Sequence, residues 1–174
     1  MKSEIIGDPK IFAIEFTVEF VKVETVYGTC RIWIEGKTLG DIYEGAYLGI
    51  ACEEIQEPVK LHYRDYDGVD SVIPDISSSP LEFIKMLEDE NENWASVFNY
   101  EPFDKFRKTY YWKGEKFIFY WCLSPRVTED IETYPQFKNY PEEVQRAEVQ
   151  TLMMKQITDE FKAKIEKLKK ENKA

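Results

Sequence analysis

Between residues 11 and 21 apolar and polar side chains alternate: Phe12, Ile14, Phe16, Val18 and Phe20 fall on one face, Glu15, Thr17 and Glu19 on the other. A period of two is that of a strand with one face buried and one wet. Gly28 punctuates, and then Cys30, Ile32 and Ile34 oppose Arg31, Trp33 and Glu35 in a second strand. Glu35-Gly36-Lys37 reads as a tight turn into a short strand ending near Asp41. The chain therefore opens as an antiparallel meander. From residue 41 to 78 the pattern is broken by Gly45, Gly49, Pro58, Gly68, Pro74 and a run of serines, and only short elements are expected.

A helix start follows. Ser79 stands as N-cap, Pro80 at the first helical position and Glu82 as the other half of a capping box, with Leu81, Ile84 and Leu87 at helical spacing to about Asp89. Residues 105–123 read as a hairpin turning at Lys113-Gly114. Its second strand carries Phe117, Phe119, Trp121 and Leu123 on one face and Ile118, Tyr120 and Cys122 on the other, the mark of a central strand covered on both sides. Pro141, followed by Glu142 and Glu143, predicts a second helix start. Val144, Ala147, Met154, Ile157, Phe161, Ile165 and Leu168 form one stripe along it, and its lysine-rich end is expected to fray from about Lys167. The fold class is α+β: an antiparallel sheet of about five or six strands, helices packed on one side, and a long C-terminal helix. With no visible repeat or linker, residues 1–174 read as one domain.

Composition narrows the function. The 174 residues are 43% hydrophobic and 15% aromatic, enough for a filled core without disulfides or metal. Lys and Arg number 23 against 33 Asp and Glu, a net charge of −10 that argues against direct nucleic-acid binding. Neither a signal peptide at Met1–Pro9 nor an apolar run of membrane-spanning length is present, so a soluble, cytoplasmic protein is expected.

Candidate chemistry is sparse. Cys30, Cys52 and Cys122 are widely spaced and His62 is the single histidine, too few ligands for a zinc site. Cys30 and Cys122 sit within strands rather than at a helix start, so inert buried thiols are expected, with His62 at the surface. Asp65-Tyr66-Asp67-Gly68 has the look of a calcium loop. Aligning Gly68 with its sixth position, however, puts Tyr63 first and Pro74 twelfth, where ligating carboxylates belong. A solvated turn suits it better. No phosphate-cradling glycine motif and no serine triad occurs, and no cofactor, metal or catalytic residue is assigned.

Charge is the outstanding feature. Residues 41–104 hold 3 basic and 16 acidic side chains, more than the whole negative excess, interleaved with aromatics. Such a segment is either a solvated surface or a face for a cationic partner, in which acids steer the encounter and aromatics anchor it. On the second reading the partner-facing residues are Asp65, Asp67, Asp70, Asp75, Glu88, Asp89, Glu90, Glu92, Trp94 and Tyr100.

Ile6-Gly7-Asp8-Pro9 running into Phe12-Ala13-Ile14-Glu15, then Gly28 before Arg31-Ile32-Trp33-Ile34, then Gly36 and Leu39-Gly40-Asp41, resembles the opening of the bacterial immunity protein 42 family. The resemblance is best over roughly residues 1–50 and continues loosely through the aromatic hairpin. It implies a cytoplasmic protein encoded beside a polymorphic or contact-dependent toxin, which protects its own cell by binding that toxin's C-terminal domain. It implies no catalytic residue. The matched positions read as structural, with Gly7, Gly28, Gly36 and Gly40 at turns and Phe12 and Ile14 in the core. The expected function is thus a non-enzymatic antitoxin, monomeric, binding neither nucleic acid nor membrane, and facing a toxin such as a nuclease through the toxin's cationic cleft. Two alternatives stay open: a small hydrolase using carboxylates around residues 65–75, and a scaffold joined through the C-terminal helix.

Overall fold

The computed structural model describes residues 2–65, 95, 96 and 98–172. Five strands build a first antiparallel sheet: β1 (Glu4–Asp8), β2 (Phe12–Lys22), β3 (Thr25–Ile34), β4 (Lys37–Leu39) and β5 (Gly45–Tyr47). Their order is β1-β2-β3-β4, with β5 also paired to β3. Helix α1 (Leu48–Asp65) follows. A second sheet runs β6-β7-β8-β9, made of β6 (Ala95–Ser96), β7 (Phe106–Lys113), β8 (Lys116–Leu123) and β9 (Gln145–Gln150). A short helix α2 (Pro125–Glu129) lies between β8 and β9, and α3 (Thr151–Glu171) closes the described chain. The class, the antiparallel pairing and the long C-terminal helix are as expected, but the strands divide into two sheets.

The meander forms as its pattern dictates. Phe12, Ile14 and Phe16 are fully buried opposite Ile34, Ile32 and Cys30. Helix α3 packs on β2 and β1, and α1 packs on β3 and against α3. The alternation fails at one place. The pairing of β2 with β3 shifts between Val18 and Phe20, so a bulge at Glu19 turns every later side chain over. Phe20, expected inward, is 50% exposed, while Val26, opposite Val21, is buried. Gly28 makes the bulge possible: a Cβ there would lie 1.9 Å from the Thr17 carbonyl oxygen. Gly7 and Gly28 thus lie inside strands rather than at turns.

Two further expectations are corrected. Residues 48–65 form an 18-residue helix, not short broken elements. Leu48, Ala51, Cys52, Ile55 and Val59 make a buried stripe of helical spacing, and its burial outweighs the cost of Gly49 and Pro58. At the other end, Pro141 does not start the long helix. Residues 145–150 are strand β9, where buried Gln145, Ala147 and Val149 alternate with half-buried or exposed Arg146, Glu148 and Gln150. Val144 and Ala147 therefore do not belong to the helical stripe, which begins inside α3 with Met154, Ile157, Phe161 and Ile165. The β7–β8 loop is Gly114-Glu115, since Lys113 pairs with Lys116.

Strand β8 is buried from Phe117 to Leu123, as a central strand should be. The two sheets share one apolar core and are tied at a polar knot. Trp121 Nε1 donates to the Thr38 carbonyl at 3.2 Å and to Tyr140 Oη at 2.7 Å, and the Tyr140 hydroxyl donates to the same carbonyl. Burial pushes the Tyr140 phenol up, so it keeps its proton and stays a donor. The helix expected over 81–89 falls outside the described residues.

Candidate functional site

The helices cover one face of the first sheet. The bulge and the strand register determine what the other face presents. In rows across β2 and β3 it carries Ala13 and Trp33, Glu15 and Arg31, Thr17 and Thr29, then Phe20 and Tyr27. The middle rows are locked. Glu15, 8% exposed, accepts from Arg31 Nε at 2.9 Å and Trp33 Nε1 at 2.8 Å, and the Arg31 guanidinium lies 4.9 Å from the Trp33 ring centre. Burial alone would raise the Glu15 carboxyl; the bonds from Arg31 and Trp33 outweigh it and hold the pKa below the ordinary value. Glu15 is therefore not a solvated acid. The Thr17 and Thr29 hydroxyls join at 2.8 Å.

Beyond the bulge the face turns aromatic. Phe20 stacks on Tyr27 with centroids 5.0 Å apart, and Tyr27 meets Tyr47 edge-on at 5.4 Å. Gly45 gives this ladder its floor: a Cβ there would lie 2.1 Å from the Tyr27 hydroxyl. The ladder is open at both ends, with Tyr47 48% exposed like Phe20. Beside Tyr47 a cleft of about 480 Å³ runs between the start of α1 and the end of α3, lined by Val26, Ile50, Ile165, Lys162 and Glu166 among others. Lys162 bonds Glu53 at 3.1 Å and Lys169 bonds Glu166 at 2.7 Å, so these cleft lysines are paired.

Of the residues assigned to a partner from sequence, two lie among those described. Asp65 is the last residue of α1. Tyr100 is placed fully, and its hydroxyl accepts the Tyr47 amide at 3.0 Å. Burial first, with Glu101 beside it, pushes the Tyr100 phenol up to about 12. Asp67, Asp70, Asp75, Glu88, Asp89, Glu90, Glu92 and Trp94 lie outside the described residues. The described end of the acidic segment thus touches the aromatic ladder directly. Sequence reasoning missed Phe20, Tyr27 and Tyr47. The signal was present in Val21, an apolar residue out of phase with the run before it and paired with buried Val26.

The remaining chemistry is quiet. All three cysteines are buried and free. Burial pushes Cys30 and Cys52 up to about 12 and Cys122 to about 11, so the nucleophilic thiolate is scarce at neutral pH. Among the described residues no group of three His, Cys, Asp or Glu could hold a metal ion. No described helix is long and apolar enough to cross a membrane.

The family model for immunity protein 42 matches residues 5–164, which extends the resemblance of the opening strands through both sheets and most of α3. No curated protein matches the chain. Among solved structures, the crystal structure of CdiI from Burkholderia dolosa AUO158 aligns over 92% of this chain and 99% of that one, at 11% identity and a TM-score of 0.48.

Proposed function

The chain belongs to the immunity protein 42 family, and from that premise we propose that it is the non-enzymatic antidote to a bacterial toxin domain. It binds the C-terminal domain of the toxin encoded beside it, in the cytoplasm of the cell that makes both, and neutralises it as a monomer without a cofactor. The family match over residues 5–164 carries this reading. The toxin site it blocks is cationic, as in a nuclease. In support, residues 41–104 hold 16 acidic side chains against 3 basic ones, and such a field attracts and orients a basic partner.

The test is co-expression. The neighbouring toxin domain alone should arrest growth, co-expression of this chain should restore it, and the two should copurify. Growth arrest that persists beside abundant folded chain, with no complex recovered, overturns the reading.

A further inference from the structure

Tyr47 belongs both to the outer face of the first sheet and to the acidic segment, and its amide donates to the Tyr100 hydroxyl farther along that segment. The ladder Phe20–Tyr27–Tyr47 is the described surface where large aromatic rings stack openly, two of them about half exposed. Isolated exposed apolar residues need no explanation, but a contiguous aromatic group does. Its margin is acidic: Glu19 in the bulge, Glu24 in the β2–β3 turn and Glu101 beside Tyr100 are exposed, with Lys22 as the nearby cation in sequence. Apolar centre and charged rim are the anatomy of a protein-binding surface, with Tyr and Phe as anchors that lose little entropy.

We propose that the Phe20–Tyr27–Tyr47 face is the anchoring half of the toxin-binding surface, taking an apolar patch of the toxin domain that is ringed by basic side chains. The inference rests on the toxin-binding reading and adds the place. Charge complementarity selects this occupant: an acidic rim on a chain of net charge −10 disfavours a second copy of itself and favours a basic partner. The geometry is preformed. Gly45 lets the Tyr27 ring lie flat across β5, and the Glu19 bulge turns Phe20 outward onto it. Little rearrangement is then needed on binding.

The experiment compares the full chain with the double variant Phe20→Ala, Tyr47→Ala in binding kinetics against the toxin domain encoded beside it. The expected result is dissociation roughly 30-fold faster or more, with the association rate and its salt dependence nearly unchanged. A matched variant, Leu152→Ala at an exposed site on α3, should bind as the parent does. Hydroxyl-radical footprinting of the unmodified complex reads the same surface without any substitution, and Phe20 and Tyr47 should lose reactivity when the toxin domain is bound. A parent chain that fails to bind the toxin domain overturns the function itself. A parent that binds, with unprotected Phe20 and Tyr47 or an unaltered dissociation rate in the double variant, overturns the anchoring face alone.

Discussion

Phe16 in the middle of β2 and Phe161 on α3 meet with ring centroids 5.0 Å apart and planes inclined at 54°. Both are fully buried, and the contact joins residues 145 positions apart in sequence. It is the point where the meander, formed by local pairing, acquires the helix that covers it. Helix α3 has a polar face rich in lysine and little reason to persist alone; its apolar stripe holds it on the sheet.

Truncating either ring should therefore cost a large part of the fold's stability. Phe16→Ala and Phe161→Ala are each expected to lose roughly 3–5 kcal/mol. The double variant should lose less than the sum, by about 0.5–1.5 kcal/mol for the ring pair, in denaturant titrations. Additive losses would show that the two rings do not share one contact in solution.

Gly28 supports a second prediction. A Cβ at this position would overlap the Thr17 carbonyl, which is backbone and cannot swing aside. Gly28→Ala should cost about 1–3 kcal/mol, measured as a fall in Tm, because the strands must part at the bulge. The same change should loosen the Phe20–Tyr27 stack, visible as altered near-ultraviolet dichroism from the aromatic rings. A melting temperature equal to the parent's would place the bulge elsewhere.

These positions mark how far the fold can be read from the sequence. The strict alternation from Phe12 to Phe16 and from Cys30 to Ile34 is local, and it forecast which side chains enter the core, but not that Ala13 and Glu15 on the other face are buried as well. Phe20 was misplaced because a bulge resets phase in the strand that carries it, while the partner strand keeps its own, with Val26, Cys30, Ile32 and Ile34 all buried. Helix α1 was hidden by Gly49 and Pro58, whose cost is real but smaller than the burial of five apolar side chains. Strand β9 was hidden for the opposite reason. Val144 and Ala147 satisfy helical spacing while Ala147 and Val149 satisfy alternation, and only pairing with β8 decides between them. The candidate site was half legible: its charge is a matter of counting, whereas its aromatic ladder arises from register among three strands.

Glu15 gives a prediction in pH. Its folded pKa lies below the ordinary carboxylate value, so on acidification the unfolded chain takes up the proton first. The stabilisation is complete above the unfolded pKa and disappears as the pH falls through the folded one. Glu15→Gln should lose about 1–3 kcal/mol at neutral pH, since two hydrogen bonds lose their charged acceptor. It should also lose part of the acid-side decline in stability that the parent shows. A variant with the parent's full acid dependence would mean that other carboxylates carry it.

The last prediction separates steering from anchoring. Acidic side chains act on a basic partner through a field that salt screens over about 8 Å at physiological ionic strength. Reversing Asp67, Asp70 and Asp75 to Lys should slow association with the toxin domain at low salt by roughly tenfold or more. The difference should shrink as salt is added, and the dissociation rate should change little. That is the converse of the outcome expected for Phe20 and Tyr47, whose loss quickens dissociation and leaves the salt dependence as it was. The comparison needs a variant of equal net charge. Glu142, Glu143 and Glu160 are exposed and lie outside residues 41–104, so reversing these three shifts the whole-molecule charge by the same amount. If the field acts through net charge alone, both triple variants will slow association equally. If it acts through its concentration in the middle of the chain, where Tyr100 joins it to Tyr47, only the first will. Protection of cells and association rates equal to the parent's in both variants would reduce the acidic segment to a solubility device.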